Sequence, residues 1–327
     1  MSLDADAIVE KRRLRRRVSF WRLLSVVVII FAVFAASLSG ENNGINFSSS
    51  AHIARISIEG LITDDRKKIK LLNKARDADK VKAVIIWINS PGGTTTGSET
   101  LFEAIREIAK VKPVVTVLGT VAASGGYIAA VAGDHIIARG NTITGSIGVI
   151  FQWANMATLL DKIGVKMEEV KSSPLKGAPS PFVPISEEAR RVTQEMVTDS
   201  YDWFVDLVAD RRPFDKARAR QLADGRVYTG RQALKTKLID AIGGEKQALI
   251  WLIKNRNIDK GLKVIDWTNT TYPEFGLTGK AIAHVVRAIG LSQILGIGYF
   301  NEKSLAPERL RLDGLVTLWH PSLANGN

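Results

Sequence analysis

The chain of 327 residues contains no cysteine. That excludes a thiolate nucleophile, cysteine-ligated zinc, iron–sulfur clusters and structural disulfides. Stability outside the cytoplasm would have to come from core packing and assembly. Histidine is scarce too, with four: His52, His135, His284 and His320. His52 adjoins a polar linker, His284 and His320 fall in a late segment, and His135 enters a strand among Gly133, Asp134 and Ile136. A Ser/His/Asp triad therefore has little to build on, and no Gly-x-Ser-x-Gly elbow is present. Ten prolines against 27 glycines fit neither a collagen-like nor a disordered chain. No internal repeat is found.

What is there begins with an asymmetry. The formal charge is +12, and part of the excess is one cluster, Lys11, Arg12, Arg13, Arg15, Arg16, Arg17 and Arg22. It abuts the uncharged run LLSVVVIIFAVFAASL, residues 23–38. Sixteen residues rise about 24 Å as a helix, a little short of a ~30 Å hydrocarbon core. Phe20 and Trp21 on one side and Ser39–Gly40 on the other extend it to the interfaces. Bases before an apolar helix place residues 1–22 in the cytoplasm, 23–40 in the membrane as a single-pass signal-anchor, and the rest on the periplasmic or extracellular side. A cleaved signal peptide competes, since Ala35–Ala36–Ser37 offers small residues; Leu38 and the length of the run favour retention. Either version exports residues 41–327. No aromatic residues alternate with the bases as a base-stacking platform would require, so nucleic acid is not an expected partner.

With 46% hydrophobic residues the exported part can bury a sizeable core. Residues 41–51 read as a linker. Strands are expected at 52–60, 82–88, 113–119, 134–138, 145–150 and 165–170, and helices at 64–79, 97–110, 124–133 and 154–164. Residues 82–88, KAVIIWI, are a continuous β-branched run suited to a strand buried on both faces. Helix 64–79 would turn Ile69, Leu71, Leu72 and Ala75 inward. Ser186 is a plausible N-cap for a long helix, and Thr229 for a short one. Such alternation predicts an α/β domain with parallel sheet and right-handed crossovers. Residues 275–300 are apolar and basic.

Three glycine-punctuated turns could carry chemistry. Asn89–Ser90–Pro91–Gly92–Gly93 ends the strongest strand, where open α/β sheets bind ligands, and its glycines leave N–H groups unobstructed. The same residues would also make a plain strand-to-helix turn. Ser124, between Ala122–Ala123 and Gly125–Gly126–Tyr127, lies where a strand hands over to a helix. The helix dipole and neighbouring N–H groups there can stabilise an alkoxide and an oxyanion. It could equally be an N-cap serine. Ser146, in Thr144–Gly145–Ser146–Ile147–Gly148–Val149, looks more like a packed strand entry. A serine without histidine needs another base, and a lysine serves if burial lowers its pKa. Lys171 and Lys176 flank the small, rigid segment Ser172–Ser173–Pro174–Leu175, and sequence physics does not choose between them.

Taken together, SPGG (90–93), ASGGY (123–127), TGSIGV (144–149), SSPLKGAPSPF (172–182) and GRVYTGRQALKTKLID (225–240) resemble the signal peptide peptidases of the SppA type, also called protease IV. In this order and spacing they are specific, and they span roughly residues 52–256. One copy of the domain resembles the short, single-domain form. The resemblance implies a Clp-protease/crotonase-like fold of repeated ββα units preceded by one N-terminal transmembrane helix. It implies Ser124 as nucleophile, Lys176 rather than Lys171 as general base, Gly93 and Gly125 as oxyanion donors, and no metal or cofactor. Ser172 or Ser173 would help orient the lysine. It further implies a homo-oligomeric ring on the membrane with serine and lysine from neighbouring subunits, acting on apolar peptides such as remnant signal peptides. Residues 257–327 match no motif and are expected at subunit contacts or the membrane rim. The competing readings are a crotonase-like acyl-CoA enzyme and an inactive membrane-anchored scaffold of the same fold.

Overall fold

The computed structural model describes residues 20–22, 24–25, 50–268 and 316–318. The chain divides into two units, Met1–Phe47 with Thr270–Gly276, and Ser48–Asn269 with Leu277–Asn327. In the first, residues 20–22 and 24–25 are helical, and the Ser25 hydroxyl donates to the Trp21 carbonyl at 2.6 Å. The proposed anchor, 23–40, lies almost wholly outside the described residues, as does the segment 275–300. Among the described residues no helix is long and apolar enough to cross a membrane.

The second unit opens with four strands separated by single helices: β1 (His52–Ile62), α1 (Arg66–Asp77), β2 (Val81–Thr94), α2 (Thr95–Ala109), β3 (Val114–Ala123), α3 (Gly125–Val131) and β4 (His135–Ala138). Neighbours β1–β2, β2–β3 and β3–β4 are parallel. Asp65 starts α1 by accepting the N–H groups of Lys67 and Lys68, and Leu71, Leu72 and Ala75 are its buried residues, with Ile69 half-buried. Val84, Ile85, Ile86 and Ile88 are wholly inaccessible. A strand covered on both faces reads as an unbroken apolar run for that reason.

Strand β3 forks. Its Val115–Leu118 pair with β4, whereas Val121–Ala123 pair with β5 (Ile143–Gly145). The antiparallel β6 (Val227–Thr229) extends the sheet beyond β5, and β7 (Ala241–Ile242) lies beside β4. At the other edge β8 (Lys263–Trp267) runs parallel to β1, so the sheet does not stop at residue 256. A short β9 (Val316–Leu318) pairs antiparallel with Gly92–Thr94 of β2. The remaining helices are α4 (Ala157–Lys162), α5 (Glu187–Arg211), α6 (Lys216–Leu222), α7 (Gly230–Lys235) and α8 (Glu245–Arg256). Ser186 caps α5 through the Ala189 N–H, and Thr229 forms a capping box with Gln232 on α7.

Alternate residues of β3 address two layers. Val115 and Val117 pack with Ile53, Ala83, Ile85 and Ile137 beneath Ala248 and Leu252 of α8, while the Thr116 hydroxyl donates to the Ala130 carbonyl of α3 at 3.0 Å. All seven residues of α3 are buried. A helix of two turns does not persist by propensity, so its surroundings hold it. Its C-terminal carbonyls are met by arginines: Arg211 donates to Val131 and Gly133 at 3.0 Å each, and Arg106 to Ala132 at 2.8 Å. Cations there also complement the helix dipole. Burial pushes the Arg211 guanidinium pKa below its ordinary value.

Residues 146–186 depart from the expected pattern. The strand predicted at 145–150 ends at Gly145, because Gly145 (φ 80°) and Ser146 (φ 52°) turn the chain away. The helix predicted at 154–164 contracts to α4, which buries no residue. The strand predicted at 165–170 is absent. Val165, Met167 and Val170 are exposed there, and β propensity without a neighbouring strand or a surface to pack on does not make a strand.

Candidate active site

Ser124 ends the fork of β3 and precedes α3. Its backbone has φ 55° and ψ −118°, outside the regions open to side-chain-bearing residues, and its side chain makes no capping bond to the helix. A strained residue of this kind carries on the order of 1–3 kcal/mol, sustained only because its surroundings over-determine it. Here they do. The Ser124 N–H donates to the Gly145 carbonyl at 2.8 Å, and the Ser124 carbonyl accepts from Tyr127 and Ile128 at 2.8 and 3.0 Å. The residue is 1% exposed. The capping role considered from sequence is therefore not what this serine does.

Tyr127 and Ile128 are the first N–H groups of α3 to reach the Ser124 carbonyl. Those of Gly125 and Gly126 precede them, at the helix end where N–H groups lack intrahelical partners. The second glycine turn abuts this one. A Cβ on Gly126 would stand 2.6 Å from the Ser90 carbonyl oxygen, so the two loops touch backbone to backbone. Ser90, wholly buried, accepts from the Gly92 N–H at 3.1 Å. Gly93 pairs with Ile62 of β1 and Thr317 of β9, and a Cβ there would overlap the Ile62 carbonyl oxygen at 1.8 Å. Strand packing alone thus requires glycine at 93.

Tyr127 of the same motif is structural. Its hydroxyl donates to the Leu238 carbonyl at 2.7 Å and burial pushes its pKa up. This bond ties α3 to the segment 225–240, which explains why two motifs far apart in sequence occur together. Ser146, whose N–H donates to the Arg226 carbonyl at 2.8 Å, is buried at the foot of the 146–186 excursion.

The two lysines separate. Lys171 is paired with Glu169. Lys176 is exposed, in a turn closed by its N–H on the Ser173 carbonyl at 3.1 Å, and has no ion pair among the described residues. No hydrogen bond joins Lys176 to Ser124 within the chain, and Ser172 and Ser173 are exposed beside it. The two described histidines are committed elsewhere. His52 sits with Nδ1 2.9 Å from the Ser50 carbonyl and accepts from Trp267 Nε1 at 3.1 Å. His135 stacks on Trp251 at 4.7 Å, 3.7 Å from Asp240, and burial lowers its pKa. His284 and His320 lie outside the described residues.

The larger cavity, about 420 Å³, is lined by Arg55, Glu59, Trp87, Arg139 and Asp266 and includes none of these candidates. A smaller one, about 80 Å³, lies along Ile62, Thr63 and Gly97, beside the strand end that meets Gly93. Sequence reasoning missed the contact of Gly126 with Ser90 and the support of α3 by Arg106 and Arg211. The doubled glycine after the serine was the available signal for the first; nothing local signalled the arginines.

The family model described as Peptidase family S49 matches residues 106–259, and the one described as Clp protease matches residues 50–142. A Methanocaldococcus jannaschii protein named "Putative protease MJ0651" is 32% identical over 84% of this chain and 96% of its own length. The Synechocystis "Putative protease slr0021" is 36% identical over 65% of this chain and 77% of its own. The Enterococcus faecium "Putative signal peptide peptidase SppA" is 37% identical over 68% and 69%.

Proposed function

Because the chain belongs to peptidase family S49 and is a serine protease, we propose that it cleaves apolar peptides such as remnant signal peptides, with Ser124 as nucleophile and Lys176 as general base. Membership sets aside the acyl-CoA reading; whether the chain is instead an inactive scaffold of the same family is decided by the assay below. The observation that carries the assignment is the strained backbone of Ser124, at a strand end and helix start, with a side chain that caps nothing. Strain kept at a buried polar residue points to chemistry. Lys171 is occupied by Glu169, which leaves Lys176 as the one of the two candidate lysines without a carboxylate among the described residues.

In the reaction, neutral Lys176 takes the Ser124 hydroxyl proton as Oγ attacks the peptide carbonyl carbon. The N–H of Gly125, at the start of α3, receives the oxyanion; Gly93, expected from the resemblance as a second donor, is engaged in the sheet with Ile62 and Thr317. The C–N bond breaks as the lysine returns its proton to the leaving amine. A water then gives a proton to the lysine and attacks the acyl ester, and the lysine passes that proton to Ser124 Oγ as the ester C–O bond breaks.

A lysine acts as base only when desolvated, yet Lys176 is exposed in a single chain. In the same excursion, 146–186, Leu159, Ile163, Val165, Met167 and Val170 are exposed as well. We read this as a segment covered by another subunit, so that the dyad is shared in a homo-oligomeric ring. The charge-free run 23–38 after a basic cluster supports a membrane anchor with the catalytic unit outside. The peptide class follows the name of the E. faecium relative.

The test is hydrolysis of an apolar signal-peptide-like substrate by the full chain in detergent, comparing wild type, Ser124→Ala, Lys176→Ala and a reassembled mixture of the two. Each single variant should lose about 10³-fold or more, and the mixture should regain activity. An active Ser124→Ala would place the nucleophile elsewhere; dead variants that never complement would place both groups in one subunit.

A further inference from the structure

Strands β2 and β3 run in register from Val84–Val114 to Ile88–Leu118, and pair again at Ser90–Ala122. Between those pairs β2 has the single residue Asn89, while β3 has Gly119, Thr120 and Val121. Two extra residues on one strand leave backbone N–H groups without a ladder partner; Thr120 is exposed, but the half-buried Val121 N–H needs one. Asn89 supplies it: its Oδ1 accepts from Thr120 at 3.1 Å and from Val121 at 3.2 Å. Gly119 makes room, since a Cβ there would stand 3.1 Å from the Asn89 side chain. On the other edge, the Thr142 and Thr144 hydroxyls donate to the Gly119 and Ala122 carbonyls at 2.7 Å each.

This bulge is where β3 leaves β4 and joins β5. The register change therefore redirects the strand immediately before Ser124. One side chain thus lies on both halves of the site: Asn89 begins the turn leading to Gly93, and it grips the backbone leading to Ser124. Any slip of β3 against β2 would move the hydroxyl relative to the glycine turn 90–93, on which Gly126 packs.

We propose that Asn89 is a positioning residue that sets the offset between the nucleophile turn and the glycine turn 90–93. The inference rests on the Ser124 assignment made above. An acceptor oxygen at that reach is what the bulge needs. Asn89→Asp keeps it, Asn89→Ala removes it, and Thr142→Val loosens the opposite edge of the same bulge.

The experiment measures kcat and KM for an apolar peptide with the full-length wild type, these three variants and Ser124→Ala, alongside thermal unfolding of each. Asn89→Ala should lower kcat about 10- to 100-fold with KM within about threefold, as displacement of reacting groups does. Asn89→Asp should return kcat to within about fivefold of wild type, and Thr142→Val should lower it about threefold. A merely structural role would lower the unfolding temperature while leaving kcat per folded chain unchanged, and that result overturns the proposal. So does an Asn89→Asp variant that folds yet is as slow as Asn89→Ala. If Asn89→Ala does not fold, the Asn89→Asp and Thr142→Val values decide, and wild-type kcat in Thr142→Val with no rescue by Asp counts against it. An inactive Ser124→Ala beside an unimpaired Asn89→Ala sinks only this inference; an active Ser124→Ala sinks both.

Discussion

Ser124 and Lys176 stand in opposite settings. The serine lies between two strands and a fully buried helix whose far end is held by two arginines. The lysine is exposed on a stretch whose one helix buries nothing and where Leu159, Ile163, Val165, Met167 and Val170 are exposed. One half of the proposed site is thus finished by a single chain, and the other is not. Rigid placement suits a nucleophile that must meet fixed N–H groups. A base that has to be desolvated can wait for assembly, which would keep a lone subunit from cutting.

The sharpest way to break the contrast is to loosen the rigid half. Gly126→Ala forces a Cβ against the Ser90 carbonyl, so the two turns must part. We expect kcat to fall about 100-fold and stability by about 1–3 kcal/mol, read by peptide hydrolysis and thermal unfolding. Unchanged activity would mean that the turns are not held as one unit.

The open half is tested by charging it. Leu159→Asp combined with Ile163→Asp changes two exposed side chains, so unfolding of the chain should shift by no more than about 0.5 kcal/mol. Hydrolysis should fall about tenfold, the equivalent of about 1.4 kcal/mol of lost association, together with a smaller particle in light scattering. An intact particle with full activity would show that this segment meets no neighbour.

The last test concerns the strain itself. Glycine adopts a positive φ without penalty, so Ser124→Gly should raise stability by about 1 kcal/mol while abolishing hydrolysis. A loss of stability instead would mean that the serine side chain supports the fold and that the backbone there is not under tension.

Much of the frame was legible because its signals are local. The run 82–88 announced a doubly covered strand, Ser186 and Thr229 act as caps, and Leu71, Leu72 and Ala75 face inward. Each depends on neighbours within a turn or a strand's length. Residues 165–170 misled because their β-branched and apolar character is real while the surface to satisfy it is absent from the single chain. The pairing of β8 with β1 and of β9 with β2 was not legible, since strands so distant in sequence carry no mutual mark.

For the site, residue type and spacing singled out the turns around Ser124 and Gly93 as candidates, scarcity of histidine and cysteine pointed to a lysine base, and the family resemblance alone chose Ser124 and Lys176. Sequence alone determined that much, because side-chain chemistry and turn geometry are properties of short segments. The tertiary structure decided the rest. It turned Ser124 to a strained φ through bonds to Gly145, paired Lys171 with Glu169, and set Asn89 across a register change. Each is a contact between segments that the chain must first bring together, and the free energy for holding them comes from burial spread over the whole sheet.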